Sequence, residues 1–185
     1  VPSVGGTVSI FTKAAELKEG GSFSQSAGND GYYKTTASFN SGKNESGWAS
    51  SVMISRWLGN GYINQTQGEG YNYFAAVGYN PKGSDHSLNL SLIGAGQWHH
   101  QRDVWVSIRD YQHFNSYNGY KGEGSGENDI NRRWNTNGGT LTDEDGNVEE
   151  FSMRRNFYNK PLATFNWDWN ISENVKLATS FYGSA

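Results

Sequence analysis

The sequence predicts an all-β fold, about seven antiparallel strands of transmembrane β-barrel type, and three observations predict it. The composition is the first. In 185 residues there are 24 Gly, 7 Trp, 11 Tyr and 9 Phe, but only 35% hydrophobic residues, a mixture of aromatics and turn formers that suits strands. The second is strict alternation of apolar with polar residues, which puts an apolar and a wet face on each strand. The third is that the connections alternate between short and long.

In chain order, Tyr33, Thr35, Ala37 and Phe39 share one face of a strand, and Trp48, Ser50, Val52 and Ile54 one face of the next. Tyr73, Ala75, Val77 and Tyr79 repeat the pattern. Leu88, Leu90, Leu92 and Trp98 share a side with Gly94 and Gly96, opposite Asn89, Ser91 and Gln97. Ala163, Phe165, Trp167, Trp169 and Ile171 alternate with Thr164, Asn166, Asp168 and Asn170, and a weaker copy runs through Val175, Leu177, Thr179 and Phe181. No segment has helical periodicity. In a barrel, Val52, Ile54, Val77, Leu90, Leu92, Phe165, Trp167 and Phe181 would face lipid, while Asn89, Ser91, Asn166 and Asp168 would face the lumen. Arg56 falls on the apolar register, where a cation at the bilayer midplane costs about 2–4 kcal/mol. The expectation is therefore a bulge near Ser55, or a strand that has left the membrane by that point.

The connections at 42–46, 82–85 and 172–174 are short and rich in Gly, Asn, Asp and Ser, with Pro81 at a strand end. Those at 59–70 and 102–159 are long. Only the turn near Asn29, Asp30 and Gly31 departs from this order by being short. Tight periplasmic turns and extended extracellular loops have this arrangement, which places 102–159 outside the cell. Tyr33, Phe39, Trp48, Tyr73, Tyr79, Trp98, Trp167 and Trp169 read as aromatic girdles at the two ends of the apolar faces. A soluble carbohydrate-binding β-sandwich would also explain the tryptophans and polar loops, but its aromatic faces must pack on each other. A passive porin or adhesin barrel would explain the strands.

A net charge of −3 with mixed signs gives no footprint for nucleic acid. The absence of cysteine removes disulfides and thiolate metal sites. No apolar run approaches the ~20 residues of a membrane helix. No phosphate loop, nucleophile–base pair or certified carboxylate pair is present, so neither an enzyme nor a cofactor is expected. The "QWHHQRD" stretch at 97–103 invites a metal site, but on a continuous strand His99 and His100 point to opposite faces. The acidic "TDEDGNVEE" at 142–150 reads as a hairpin turning at Asp145 and Gly146. Ligand contacts are expected from His99, Arg102 and Trp105 at the base of the long loop. Arg132, Arg133 and Trp134, with Arg154 and Arg155, combine guanidinium groups and rings that suit sugars or carboxylates. Equally, these residues could stitch the loop to the rim of the sheet.

The stretch "GGTVSIFTK", residues 5–13, resembles the last plug strand of TonB-dependent outer-membrane transporters, where a glycine pair precedes an alternating strand. Residues 21–185 look like the opening barrel strands of such a transporter, including "ASFNSGKNESGWASSVMISRWLGNGYI" and "HSLNLSLIGAGQWHHQR", in wording most similar to Bacteroidetes-type members. The resemblance implies a plug end at 1–13, a linker at 14–20, and at 21–185 the first part of a plugged barrel of roughly 22 strands. The chain would then be a fragment. The resemblance also implies a Gram-negative outer-membrane location, energy from a TonB–ExbB–ExbD complex acting through upstream parts, and an accessory surface lipoprotein. The cargo would be an iron chelate, cobalamin, glycan or peptide, bound between plug apices and loops.

Overall fold

A computed structural model describes residues 13–103, 133 and 135–185, and in it the chain is all-β. The strands are β1 (Gly20–Ala27), β2 (Tyr33–Asn40), β3 (Trp48–Gly59), β4 (Gly68–Tyr79), β5 (His86–His100), β6 (Gly138–Thr142), β7 (Val148–Ser152), β8 (Arg155–Tyr158), β9 (Leu162–Ser172) and β10 (Val175–Ser184). One antiparallel sheet runs β1-β2-β3-β4-β5-β9-β10, with β8 beside β5, and β6 and β7 form a separate hairpin. "GGTVSIFTK" lies outside the described residues except for Lys13.

β8 and β9 are one ribbon with a break. Gln97 pairs with Tyr158 and Ile93 with Leu162, so both strands lie in a common register on β5. The interruption contains Pro161, which has no N–H to give to the ladder. Opposite it, Gly94 is covered by the ring of Tyr73, and a Cβ there would stand 2.2 Å from that ring. An aromatic laid across a cross-strand glycine keeps the sheet surface closed where a side chain is missing. Tyr73 thus sits in mid-sheet, paired with Ile54 and Gly94, and not at a strand end as a girdle residue would.

Three other expectations change. The 102–159 connection is not a plain loop, because its described part contains the β6–β7 hairpin and β8, which carries the pairing of β5 out to His100. The 14–20 linker contains a short 3-10 helix, Ala14–Glu16, and the sheet begins at Gly20. No bulge forms near Ser55: Thr35, Arg56 and Tyr71 are matched across β2, β3 and β4 in unbroken register. Arg56 keeps its place on the apolar face because Glu69 takes its guanidinium at 2.9 Å and the Tyr71 ring lies 5.6 Å away.

The two faces of the sheet are the reverse of a soluble protein's. The apolar face carries Val52, Ile54, Val77, Leu90, Leu92 and Phe181, and these are exposed, Ile54 at 62% and Leu90 at 55%. The polar face is the covered one, with Ser51, Ser55, Asn89 and Ser91 buried, Asn89 at 4%. Its side chains form a ladder across strands: Ser51 donates to Asn40 at 2.6 Å, Asn72 to Ser55 at 2.9 Å and Ser180 to Asn166 at 2.7 Å, and Ser91 shares a 2.6 Å bond with Thr164. Buried hydroxyls and amides need such partners.

The 3-10 helix lies on this polar face, against β3 and β4. Ala14 is buried with Ala49 and Ala76 and donates its N–H to Asn89 Oδ1 at 3.1 Å. Gly78 permits the approach, since a Cβ there would stand 2.8 Å from the Ala15 nitrogen. Lys13 anchors the segment through a 2.9 Å ion pair to Asp168, which Lys176 also approaches at 3.4 Å. On the apolar face, Trp48 packs on Tyr79 at 4.5 Å between ring centres and Trp167 stacks on Trp169 at 6.2 Å, all at the short-turn end. Tyr71, Trp98 and Phe157 lie toward the opposite end, although Phe165 and Phe181 pack together in the middle of the band.

Candidate functional site: the loop cluster at one end of the sheet

Because consecutive strands are antiparallel, the connections at 28–32, 60–67 and 101–154 emerge at one end and those at 41–47, 80–85 and 173–174 at the other. The first group interlocks. Asn60 N–H donates to Asp30 O at 2.8 Å, Asn64 N–H to Arg133 O at 2.8 Å, and His100 N–H to Gln67 O at 2.9 Å. At the centre is Asn135, with no exposed surface. Its Nδ2 donates to the carbonyls of Gln65 and Gln101, and its Oδ1 accepts from the N–H groups of Asp103 and Asn137, all at 3.2 Å. The Thr136 hydroxyl adds a bond to the Asp103 carbonyl. Nothing in the sequence around Asn135 marks it as a hub, since its partners come from the 60–67 connection and from the far start of its own.

β5 does run through His99 and His100, so the two histidines take opposite faces. His99 stands on the polar face, across from Gly68. It lines a cleft of about 260 Å³ together with Asp30, Tyr32, Trp57 and Tyr62. The floor is glycine: Gly59, Gly61 and Gly68 leave the space that side chains would fill. Arg102 lines a second, wider cleft of about 610 Å³ with His99, Asp103 and Arg154. There Arg154 is held by a 2.6 Å ion pair to Asp103. Arg133 lies with its guanidinium 4.7 Å from the centre of the Tyr62 ring.

The structure therefore brings His99, Arg102, Arg133 and Arg154 to one end of the sheet, around the polar face and the loops above it. Arg155 separates from them. It lies on the apolar face, 4.0 Å from the centre of the Trp98 ring, and its Nε donates to His100 Nε2 at 3.2 Å. Trp105, Arg132 and Trp134 lie outside the described residues. Trp57 and Tyr62 were not singled out by the sequence. Trp57 could have been, because its odd position places a large ring on the side of the strand that also carries Ala49, Ser51 and Ser55.

The acidic stretch forms the expected hairpin, with a longer loop than a two-residue turn. Asp143 N–H donates to Asn147 O at 3.0 Å, and Gly146 turns the chain with a φ of 85°. The Asp143 carboxylate accepts from the Asn147 side-chain amide at 2.8 Å and from the backbone N–H groups of Asn147 and Asp145. These bonds, the Asn147 amide first, hold it below the usual carboxylate range. Its oxygens serve the turn. Among the described residues no group of three or more His, Asp or Glu is gathered for a metal ion.

What fold and site define together is an all-β protein whose main antiparallel sheet exposes its apolar face and carries an interlocked polar loop cluster at one end. No family model matches the chain, and no curated protein or solved structure matches it.

Proposed function

We propose that this chain is the opening part of the barrel of a TonB-dependent outer-membrane transporter, with the apolar face against lipid and the polar face toward a plugged lumen. The observation that carries the reading is the reversal of the faces. Exposing Val52, Ile54, Leu90, Leu92 and Phe181 while burying Asn89 and Ser91 is favourable against hydrocarbon and unfavourable in water. Antiparallel pairing from β1 to β10 lets neighbouring strands bond their backbone groups to one another, as a bilayer demands. The two free edges, β1 and β10, would pair with further strands of the barrel.

In this reading the segment at 13–16, pinned by Asp168 and Asn89, passes from the plug onto the lumen wall. The cleft of Asp30, Trp57, Tyr62 and His99 forms part of the outer vestibule, where rings and a few polar groups meet a ligand before the plug rearranges. Energy from a TonB–ExbB–ExbD complex drives that rearrangement. A β-sandwich would need a second layer on the apolar face, and among the described residues none covers it. The complete protein is expected to sediment with outer membranes and to need detergent for release; recovery in the soluble fraction without detergent would exclude the proposal.

A further inference from the structure

We propose that the loop end of the apolar face holds the phosphate-bearing headgroup of an anionic lipid, an inference that rests on the reading of that face as lipid-exposed. Among the described strand residues of that face, the full charges are Arg56, Glu69 and Arg155, and all three lie toward the loops. Elsewhere the face is uncharged from Phe39 and Trp48 to Trp169 and Leu177. Two arginines against one glutamate leave an excess of positive charge at a single level of the sheet.

The two guanidinium groups are held and still have donors to spare. Arg56 gives one nitrogen to Glu69 at 2.9 Å and keeps an exposed side chain. Arg155 lies over Trp98 and 5.8 Å from the Phe157 ring centre, with Nε committed to His100. Among the described residues no carboxylate pairs with it. A guanidinium has five N–H donors, so each arginine can offer a fork to a phosphate.

Between them lies a cleft of about 290 Å³, lined by Tyr71, Trp98 and Phe157, opened by Gly96, and bordered by the Glu69 carboxylate that Arg56 pairs with. Arg56 stands at its Tyr71 side and Arg155 at its Trp98 side. A soluble phosphate would have no use for these apolar walls, and on a lipid-facing surface it would have no path to them. A headgroup has both. Its phosphate meets the arginines at the interface, where their stems lie along apolar surface and their heads reach water. Its acyl chains continue down over Ile54, Val77, Leu90 and Leu92. Aromatic rings at this level suit the same boundary.

The test compares the complete transporter in nanodiscs of phosphatidylcholine with and without phosphatidylglycerol, reading Tm for the parent, Arg56→Gln, Arg155→Gln, the double variant and Lys82→Gln at the opposite end. Phosphatidylglycerol should raise Tm of the parent and of Lys82→Gln alike, with the rise reduced in each single arginine variant and lost in the double. An equal rise in all of them would overturn the proposal, as would an equal rise from inorganic phosphate in phosphatidylcholine alone. Failure of the parent to enter either nanodisc would instead overturn the membrane reading on which it rests.

Discussion

Leu90→Arg is expected to destabilise the folded barrel by about 2–4 kcal/mol, measured by denaturant unfolding in lipid vesicles, whereas Ser180→Arg costs far less. Leu90 lies mid-strand on the apolar face, between Val77 and Phe165, and is exposed. In a bilayer its replacement puts a guanidinium near the hydrocarbon centre, too far from either boundary for the side chain to reach water. Ser180 is on the other face, next to Asn166, and is exposed. On the proposed reading a cation there enters a polar lumen. Ser91 is a poorer control than its polar register suggests, because it is buried and bonded to Thr164, so bulk alone would disturb it. Equal losses at Leu90 and Ser180, or a larger loss at Ser180, would mean that the faces are assigned the wrong way round.

Asn135→Ala should open the loop cluster while leaving the sheet intact. The substitution orphans two carbonyls and two N–H groups around a fully buried side chain. Leaving even one such group unpaired costs about 1–3 kcal/mol, so the local loss is about 3 kcal/mol or more. Hydrogen exchange reads it directly. Amides at 60–67, 101–103 and 135–138 should exchange much faster, and those of β3 and β4 should not change. Asn135→Asp, which keeps the shape but sets a buried carboxylate oxygen against the Gln65 and Gln101 carbonyls, should open the cluster at least as much. Unchanged exchange at 60–67, or a loss spread over the whole sheet, would show that Asn135 is not the hub.

The strands with large alternating side chains were legible because a period of two survives any choice of partner. β3, β4, β5, β9 and β10 are of this kind. β1 was less so: its "GGSFSQSA" holds a single large apolar residue, Phe23, and the strand is specified by pairing with β2. β8 has four residues, and what fixes it is the register it shares with β9 across Pro161, a property of two segments and not of one. For Arg56 the bulge, one of the two expectations, does not form for a similar reason. The sequence offered a bulge as the remedy for a cation on an apolar register, while the fold supplies Glu69, 13 positions away, by cross-strand pairing. Of the site, His99 could be placed by alternation alone. Asn135 could not, because its side chain bonds to carbonyls 34 and 70 positions distant, and no local pattern records contacts of that length. Arg155 was grouped with Arg154 by adjacency, but β8 begins at Arg155, while Arg154 lies just before it in the connection, paired with Asp103.

The central claim is that the sheet spans a membrane with its interlocked loops on the outer side, and single-cysteine labelling of intact cells tests it most directly. These 185 residues contain no cysteine, so once any cysteine elsewhere in the complete protein is replaced, each introduced thiol reports alone. Glu144→Cys, at the exposed turn of the β6–β7 hairpin, should react with an impermeant maleimide in whole cells, and Lys82→Cys, in the short turn between β4 and β5, should react only after the outer membrane is permeabilised. Labelling of Lys82→Cys in intact cells with Glu144→Cys protected would contradict the account.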